Sequence, residues 1–238
     1  LSAVVGAARG RVPIVGAIHS KDTVRSIRHA KQALELGAVA IQVNPPLYSE
    51  PTQDDILRYY GDLSDAVDIG IIVYNSPYVP NGRIFIETLR KMVEFENIVA
   101  LKWEPGPDAD FEEAFELTST VNIIDNTSDL GDAYRLGARG YTSIGAGAYP
   151  PPYVRIWDML ESGRIDEAQA AWEKVDTPLR NFYAKITSKS GGQGRVTKGM
   201  SEIMGYPMGS CRPPSLPLSP DDMAELRGMM EGWGWLDD

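Results

Sequence analysis

The sequence predicts an α/β protein built on a parallel β-sheet, and two patterns support this class. First, six short apolar runs rich in β-branched residues alternate with stretches of helical period between about residue 12 and residue 144. Such runs are typical of buried parallel strands, and their alternation with helices indicates a sheet covered by helices. Second, the tripeptide Leu-Gly-Ala lies between a helical stretch and an apolar run at 36–38 and again at 136–138. A glycine that ends a helix before a strand is expected of a repeated βα unit.

Start and stop signals define the individual elements. Asp22 is a typical helix N-cap and Gly37 is a typical residue just past a helix end, so we predict a helix over 22–37. Thr52 or the residue after it begins a helix that ends near Val67. The predicted strands are 12–18, 39–43, 71–73, 98–101, 121–125 and 139–144, and the remaining predicted helices among them are 83–97, 109–119 and 127–138.

From about Pro152 onward the chain carries helical patterns only. The predicted helices in this tail are 153–163, 165–187, 196–205 and 219–236. We therefore divide the chain into 1–151, where strands and helices alternate, and 152–238, which holds the last helix of that alternation and a helical extension.

Composition excludes several classes of protein. A formal net charge of −10 disfavours a nucleic-acid partner, since a phosphate backbone is bound by clustered Lys and Arg. No apolar run reaches the roughly 18 residues that a membrane span needs. One cysteine excludes an internal disulfide and fits a reducing compartment, so we expect a cytoplasmic protein. Two histidines and one cysteine are too few for a zinc site built on nitrogen and sulfur ligands, and we expect no metal.

Six strands alternating with helices leave two architectures open. One is an open, doubly wound sheet, but no G-x-G-x-x-G motif follows a predicted strand, so its dinucleotide-binding form has no support. The other is a (β/α)₈ barrel from which two units are missing. Because residues 1–10 have the pattern of the last turns of a helix, we expect the chain to begin inside such a unit.

Two neighbouring predicted strands end in chemically capable side chains. Tyr74 follows the run 71–73 and Lys102 follows 98–101, with one helical stretch between them. A strand–helix–strand unit brings both strands side by side and in the same direction. Both side chains then lie at the C-terminal edge of the sheet, where barrel enzymes carry out their chemistry.

Lys102 is the candidate nucleophile at this edge. Strand alternation puts Ile98, Ala100 and Lys102 on one face and Val99, Leu101 and Trp103 on the other. A buried ammonium loses hydration, which lowers its pKa and makes the neutral, nucleophilic amine available at neutral pH. The alternative is a lysine that marks the strand end and extends into solvent.

Four motifs in order give the chain a resemblance to a known family. They are NPPLYSEPTQ at 44–53, YNSP at 74–77, NIVALKW at 97–103 and LGARGYTSI at 136–144. Together they resemble the dihydrodipicolinate synthase / N-acetylneuraminate lyase family of class I aldolases. The resemblance implies a (β/α)₈ TIM barrel with a C-terminal helical extension. In that register 1–151 would hold barrel units three to eight, and the first two units, with the family's paired threonines, would precede Leu1.

The resemblance also implies catalytic roles. Lys102 matches the family's Schiff-base lysine and Tyr74 matches the tyrosine that passes protons to and from the substrate. Tyr48 matches a tyrosine that reaches a neighbouring subunit's site, which implies a homo-oligomer, a dimer of dimers or homotetramer. The residue-level alternatives are a tyrosine hydrogen-bonded to backbone at 74 and an exposed loop aromatic at 48. The Schiff base is formed with the substrate itself, so no cofactor is implied.

Further residues are expected to bind substrate and to set its identity. Asn75 completes the YN-x-P signature, and the glycine-rich segment after the last strand offers backbone amides to a carboxylate. The family's carboxylate-binding arginine is replaced by Val79, for which Arg83 is a candidate substitute. The substrate-binding residues that we predict are Asn75, Val79, Arg83, Trp103, Asn126, Thr127, Ile144 and Gly145.

These features predict a Schiff-base lyase, aldolase or hydratase-aldolase acting on pyruvate or a related 2-oxo acid. A second hypothesis is 4-hydroxy-tetrahydrodipicolinate synthase, which condenses pyruvate with aspartate semialdehyde, although Val79 speaks against it. A third is a family member that binds a 2-oxo acid without catalysis, because a fold alone does not define a function. In every case the expected partners are a small molecule and further copies of the chain, with no nucleic acid and no membrane.

Overall fold

The computed structural model describes residues 1–46, 48, 50–77, 82–106, 111–127, 129–192 and 194–236. Within these residues the strands are β1 (Val15–Ile18), β2 (Ala40–Val43), β3 (Gly70–Tyr74), β4 (Ile98–Trp103), β5 (Asn122–Asp125) and β6 (Gly140–Tyr141). The α-helices are α1 (Ser2–Ala8), α2 (Thr23–Glu35), α3 (Gln53–Ala66), α4 (Ile86–Met92), α5 (Leu130–Arg135), α6 (Pro151–Glu161), α7 (Ile165–Lys189), α8 (Gly194–Ile203) and α9 (Pro220–Gly232).

The strands form one sheet in the order β1-β2-β3-β4-β5-β6, and every neighbouring pair is parallel. The predicted parallel sheet is therefore confirmed. A doubly wound sheet reverses its strand order at a switch point, and the described strands show no such reversal. Sequential order also brings the C-terminal ends of all six strands to one edge.

The predicted helix starts are confirmed by their caps. The Asp22 carboxylate accepts a hydrogen bond from the backbone N–H of Arg25 at 2.8 Å. Thr52 and Asp55 form a reciprocal capping box at the start of α3. Gly37, just past α2, has a φ of +91°, which glycine adopts without steric cost.

Three predicted elements differ from the structure. α4 begins later than 83 because the backbone N–H groups of Ile84 and Phe85 donate to the side chains of Asn75 and Gln53 instead of entering a helix. The stretch predicted as an α-helix over 109–119 forms a 3₁₀ helix at Phe111–Leu117. Residues 107–110 lie outside the described part of the chain.

The buried residues of this 3₁₀ helix are Ala114, Phe115 and Leu117. The last strand also ends sooner than 144. After β6 the backbone N–H of Gly145 donates to the Ser143 hydroxyl, and a 3₁₀ turn occupies Gly145–Gly147.

The chain divides into two compact units. The first comprises 1–127 and 135–141, and contains the whole sheet with α1 to α4. The second comprises 128–134 and 142–238, and contains α5 without its last residue, together with α6 to α9. Among the described residues no helix is long and apolar enough to cross a membrane.

Candidate active site

Tyr74 and Lys102 are paired neighbours at the ends of β3 and β4. The strand register aligns Val73 with Leu101 and Tyr74 with Lys102. The Nζ of Lys102 lies 4.0 Å from the centre of the Tyr74 ring, and both side chains are half-buried. The predicted approach of these two residues at the C-terminal edge of the sheet is therefore found.

The surroundings of Lys102 favour its neutral form. Burial lowers the pKa of the Lys102 amine, because a charged amine loses hydration there. The Glu104 carboxylate acts in the opposite direction and raises the pKa, since a negative charge stabilises the ammonium. Burial is the larger of the two effects, so more of the amine is neutral at a given pH than in an exposed lysine.

Glu104, which was not predicted from the sequence, belongs to a group of polar residues at the ends of β4 and β5. Its carboxylate accepts a hydrogen bond from the Asn126 side chain at 2.6 Å, and the Asn126 backbone N–H donates to the Trp103 carbonyl at 3.0 Å. Thr127 donates through its hydroxyl and backbone N–H to Asp125. Asn126 and Thr127 thus lie at the same edge as Lys102, while Glu104 was detectable only as an acid two residues after the lysine.

Asn75 is buried at this edge, and its side chain links two segments of the chain by hydrogen bonds. Its side-chain N–H donates to the Glu104 carbonyl at 2.8 Å and its side-chain oxygen accepts from the Ile84 N–H at 2.8 Å. Its own backbone N–H extends the ladder to the Lys102 carbonyl at 3.1 Å. The amide therefore ties the segment before α4 to the end of β4, and its part in substrate binding stays a prediction.

Arg83 and Trp103 lie beside a small cavity of about 110 Å³. Trp103 is buried and donates through its indole N–H to the Phe111 carbonyl at 3.0 Å. The Arg83 guanidinium lies over the Phe85 ring at 5.1 Å and packs against Gly106, where an added Cβ would approach Arg83 Nε to 3.1 Å. The substrate-binding roles of both residues stay predictions, and Val79 lies outside the described residues.

Tyr48 is exposed over 81% of its surface, and Lys21 Nζ lies 4.8 Å from its ring centre. This exposure fits the exposed-loop interpretation and equally an aromatic side chain that meets another subunit. The predicted relay across an interface therefore stays a prediction.

The last two predicted residues, Ile144 and Gly145, belong to the second compact unit. Gly145 is buried, and an added Cβ there would overlap the Tyr153 hydroxyl oxygen. Its carbonyl accepts hydrogen bonds from the N–H groups of Ala148 and Tyr149. The glycine is thus required by packing within its own unit, and carboxylate binding by this segment stays a prediction.

Comparisons with known proteins agree on one family. The model of the dihydrodipicolinate synthetase family matches residues 1–232. A 4-hydroxy-tetrahydrodipicolinate synthase of Pelobacter propionicus is 26% identical over 233 residues, covering 97% of this chain and 78% of the relative. The corresponding protein of Syntrophus aciditrophicus is 27% identical over 238 residues, covering 97% and 78%.

Solved structures give the same result for the fold. A dihydrodipicolinate synthase of Thermotoga maritima superposes with a TM-score of 0.87 at 24% identity, covering 99% of this chain and 80% of the other. A dihydrodipicolinate synthase of Acinetobacter baumannii, complexed with pyruvate, gives a TM-score of 0.85 at 22% identity, with 98% and 79% covered. At these identities the likeness establishes the fold, a parallel sheet flanked by helices.

Proposed function

Because this chain belongs to the dihydrodipicolinate synthetase family, whose members are lyase and synthase enzymes, we propose that it is a class I lyase acting on pyruvate or a related 2-oxo acid. The reaction is an aldol cleavage or condensation, or the corresponding hydratase-aldolase reaction, carried out through an iminium on Lys102. Enzyme character and aldolase-type chemistry follow from the family, while the 2-oxo acid substrate and the residue roles are the proposal.

The proposed architecture is a (β/α)₈ barrel to which β1 to β6 belong. It is supported by six parallel strands in sequential order and by TM-scores of 0.84 to 0.87 with dihydrodipicolinate synthase structures such as those of Aquifex aeolicus and Thermotoga maritima. In this proposal 1–151 supplies barrel units, and 152–238 supplies the last barrel helix and the C-terminal extension. The C-terminal strand ends then surround the active site.

The proposed chemistry begins with attack of the neutral Lys102 amine on the substrate carbonyl. The carbonyl oxygen leaves as water and a C=N⁺ bond remains, which accepts the electron pair of the bond that breaks. The leaving fragment departs as an aldehyde after its hydroxyl loses a proton, and the enamine that remains takes up a proton before water releases the 2-oxo acid. Tyr74 carries these protons, with Tyr48 of a second copy completing the relay.

The observation that carries this proposal is the 4.0 Å separation between Lys102 Nζ and the Tyr74 ring at the paired ends of β3 and β4, in a setting that lowers the amine's pKa. A nucleophile and a proton carrier at the paired ends of adjacent strands are the two groups that covalent catalysis of this kind needs. A lysine that only extended into solvent would stay charged at neutral pH.

The direct test is borohydride reduction in the presence of pyruvate. Intact-mass measurement should show one reduced pyruvate per chain, and peptide mapping should locate it on Lys102. Lys102→Met should abolish this adduct, whereas Lys91→Met, at an exposed lysine of α4, should leave it unchanged. A folded protein that stays unmodified, or carries the adduct elsewhere, contradicts the proposal.

The second candidate is 4-hydroxy-tetrahydrodipicolinate synthase, which the names of the curated relatives favour. Coupled turnover of pyruvate with aspartate semialdehyde decides it, because a rate equal to the uncatalysed background removes this substrate pair. A third candidate is a non-catalytic 2-oxo acid binder, which would be stabilised by 2-oxo acids against heat without turnover of any of them.

A further inference from the structure

One buried phenol lies at the end of the strand that pairs with the strand of the candidate proton carrier. Tyr60, in α3, is fully buried, and its hydroxyl donates to the carbonyl of Val43, the last residue of β2, at 2.6 Å. Val43 is the register partner of Val73, the residue before Tyr74 on β3. Tyr60 therefore holds the end of the strand that pairs with β3, one position before the residue whose side chain meets Lys102.

The strand register shows what this contact controls. β2 and β3 are paired up to Val43 and Val73, and β3 and β4 are paired up to Tyr74 and Lys102. The Tyr60 hydroxyl is thus hydrogen-bonded at the last paired residue of β2, and the pair of Tyr74 and Lys102 follows one position later. A shift of the Tyr74 backbone at this point would move the Tyr74 ring relative to Lys102 Nζ.

We propose, on the basis of the function proposed above, that Tyr60 is a positioning residue that holds the end of β2, and through the β2–β3 pairing the end of β3, so that Tyr74 exchanges protons with the substrate on Lys102. Tyr60 does not touch the substrate. Its hydroxyl fixes the Val43 carbonyl, and the pairing of Val43 with Val73 carries this restraint to the end of β3. A catalytic group must be held within about 0.5 Å of its working position for efficient catalysis. Misplacement by about 1 Å is enough to cost roughly a hundredfold in rate.

The local environment makes this hydroxyl hard to replace. Burial holds the pKa of Tyr60 well above its usual range, so the phenol remains a hydrogen-bond donor at any physiological pH. Because the residue is fully buried, removing its hydroxyl leaves the Val43 carbonyl without this donor in a place that bulk water does not reach.

The chain offers a matched control in the preceding residue. Tyr59 is also buried in α3, and its hydroxyl lies 2.7 Å from the Ser26 hydroxyl of α2. The two tyrosine rings contact each other edge to face at 5.2 Å. Tyr59→Phe and Tyr60→Phe therefore remove the same buried group from the same helix, but only the second removes a bond to the end of the strand that pairs with β3.

The test uses pyruvate alone, because its methyl hydrogens exchange with solvent when the iminium loses a C3 proton and the enamine takes up a deuteron from D₂O. We expect Tyr60→Phe to slow this exchange by about tenfold or more while borohydride trapping of pyruvate on Lys102 persists. Tyr59→Phe should change the exchange rate by less than about twofold although it loses comparable thermal stability.

A double-mutant cycle separates positioning from general destabilisation. If Tyr60 acts through the Tyr74 hydroxyl, Tyr60→Phe should have little further effect on exchange in a Tyr74→Phe background. An unchanged exchange rate in folded Tyr60→Phe, or equal effects in both backgrounds, overturns the inference. Absence of the pyruvate adduct in the unaltered protein instead overturns the proposed function, so the two failures are distinguishable.

Discussion

The Nζ of Lys102 lies 4.0 Å from the centre of the Tyr74 ring, and the two residues are register partners on β4 and β3. At this distance the ring face attracts the ammonium form of the lysine, while burial disfavours it. The ring therefore restrains the amine in one place, and the phenol hydroxyl remains on the neighbouring strand for proton transfer. Each contribution can be removed separately.

Tyr74→Phe keeps the ring over Lys102 and removes only the hydroxyl. We expect pyruvate to remain trappable on Lys102 by borohydride, while exchange of the pyruvate methyl hydrogens falls by about a hundredfold or more, the usual contribution of a positioned acid–base group. NMR in D₂O measures the exchange and peptide mapping measures the adduct. Wild-type exchange in Tyr74→Phe would assign proton transfer to another group.

Much of the fold was predictable because its signals are local. The strands were found from apolar runs, and α2 and α3 from the capping residues Asp22 and Thr52, whose hydrogen bonds lie within three positions in the chain. The start of α4 was missed because it depends on Asn75 and Gln53, which lie on other elements and bind the backbone before the helix.

The site was predictable only where its residues follow strand ends. Lys102 and Tyr74 could be found because a βα repeat brings consecutive strand ends together. The link between Glu104 and Asn126 spans 22 positions, and the hydrogen bond from Tyr60 to Val43 spans 17. In the sequence Tyr60 is only one more apolar position of a helix, and nothing local shows that its hydroxyl reaches a strand end.

The pH dependence of imine formation tests the electrostatics of Lys102. Because burial lowers the amine's pKa, borohydride trapping of pyruvate should reach half its maximum below the roughly 10.4 of a free lysine. Glu104 raises that pKa, so Glu104→Gln, which keeps an acceptor for Asn126, should move the midpoint to lower pH. Trapping yield measured across pH provides the midpoint.

The control for this shift is Glu94→Gln, which removes the same charge from an exposed position after α4. It should leave the midpoint where it is in the unaltered protein, since an exposed charge is screened by solvent and salt. A midpoint that rises in Glu104→Gln, or that moves equally in both variants, would contradict the assigned role of Glu104.

Gly145→Ala should destabilise the second compact unit. The added Cβ would overlap the Tyr153 hydroxyl oxygen, and the aromatic ring must move to relieve this overlap. Overpacking of this kind costs about 1–3 kcal/mol. Gly228→Ala, within α9 and with no atom close to the added Cβ, should be neutral or stabilising, because alanine favours helices. Urea unfolding of the two variants gives both values, and equal stabilities would show that residue 145 has room.

Asp222 should make the stability of the second unit depend on acid pH. It is buried at the start of α9, where its carboxylate accepts hydrogen bonds from Lys189 at 2.6 Å and from the Ser219 hydroxyl at 2.7 Å, which lowers its pKa to about 2. A carboxyl whose pKa is lower in the folded state stabilises that state above its unfolded pKa of about 4 and loses the contribution as pH falls toward 2.

Asp222→Asn should therefore lower the urea midpoint at pH 7 and reduce its decline between pH 4 and pH 2. Asp221→Asn changes an exposed neighbour in the same helical turn and should leave both features nearly unaltered, so identical pH profiles for the two variants would exclude this role for Asp222.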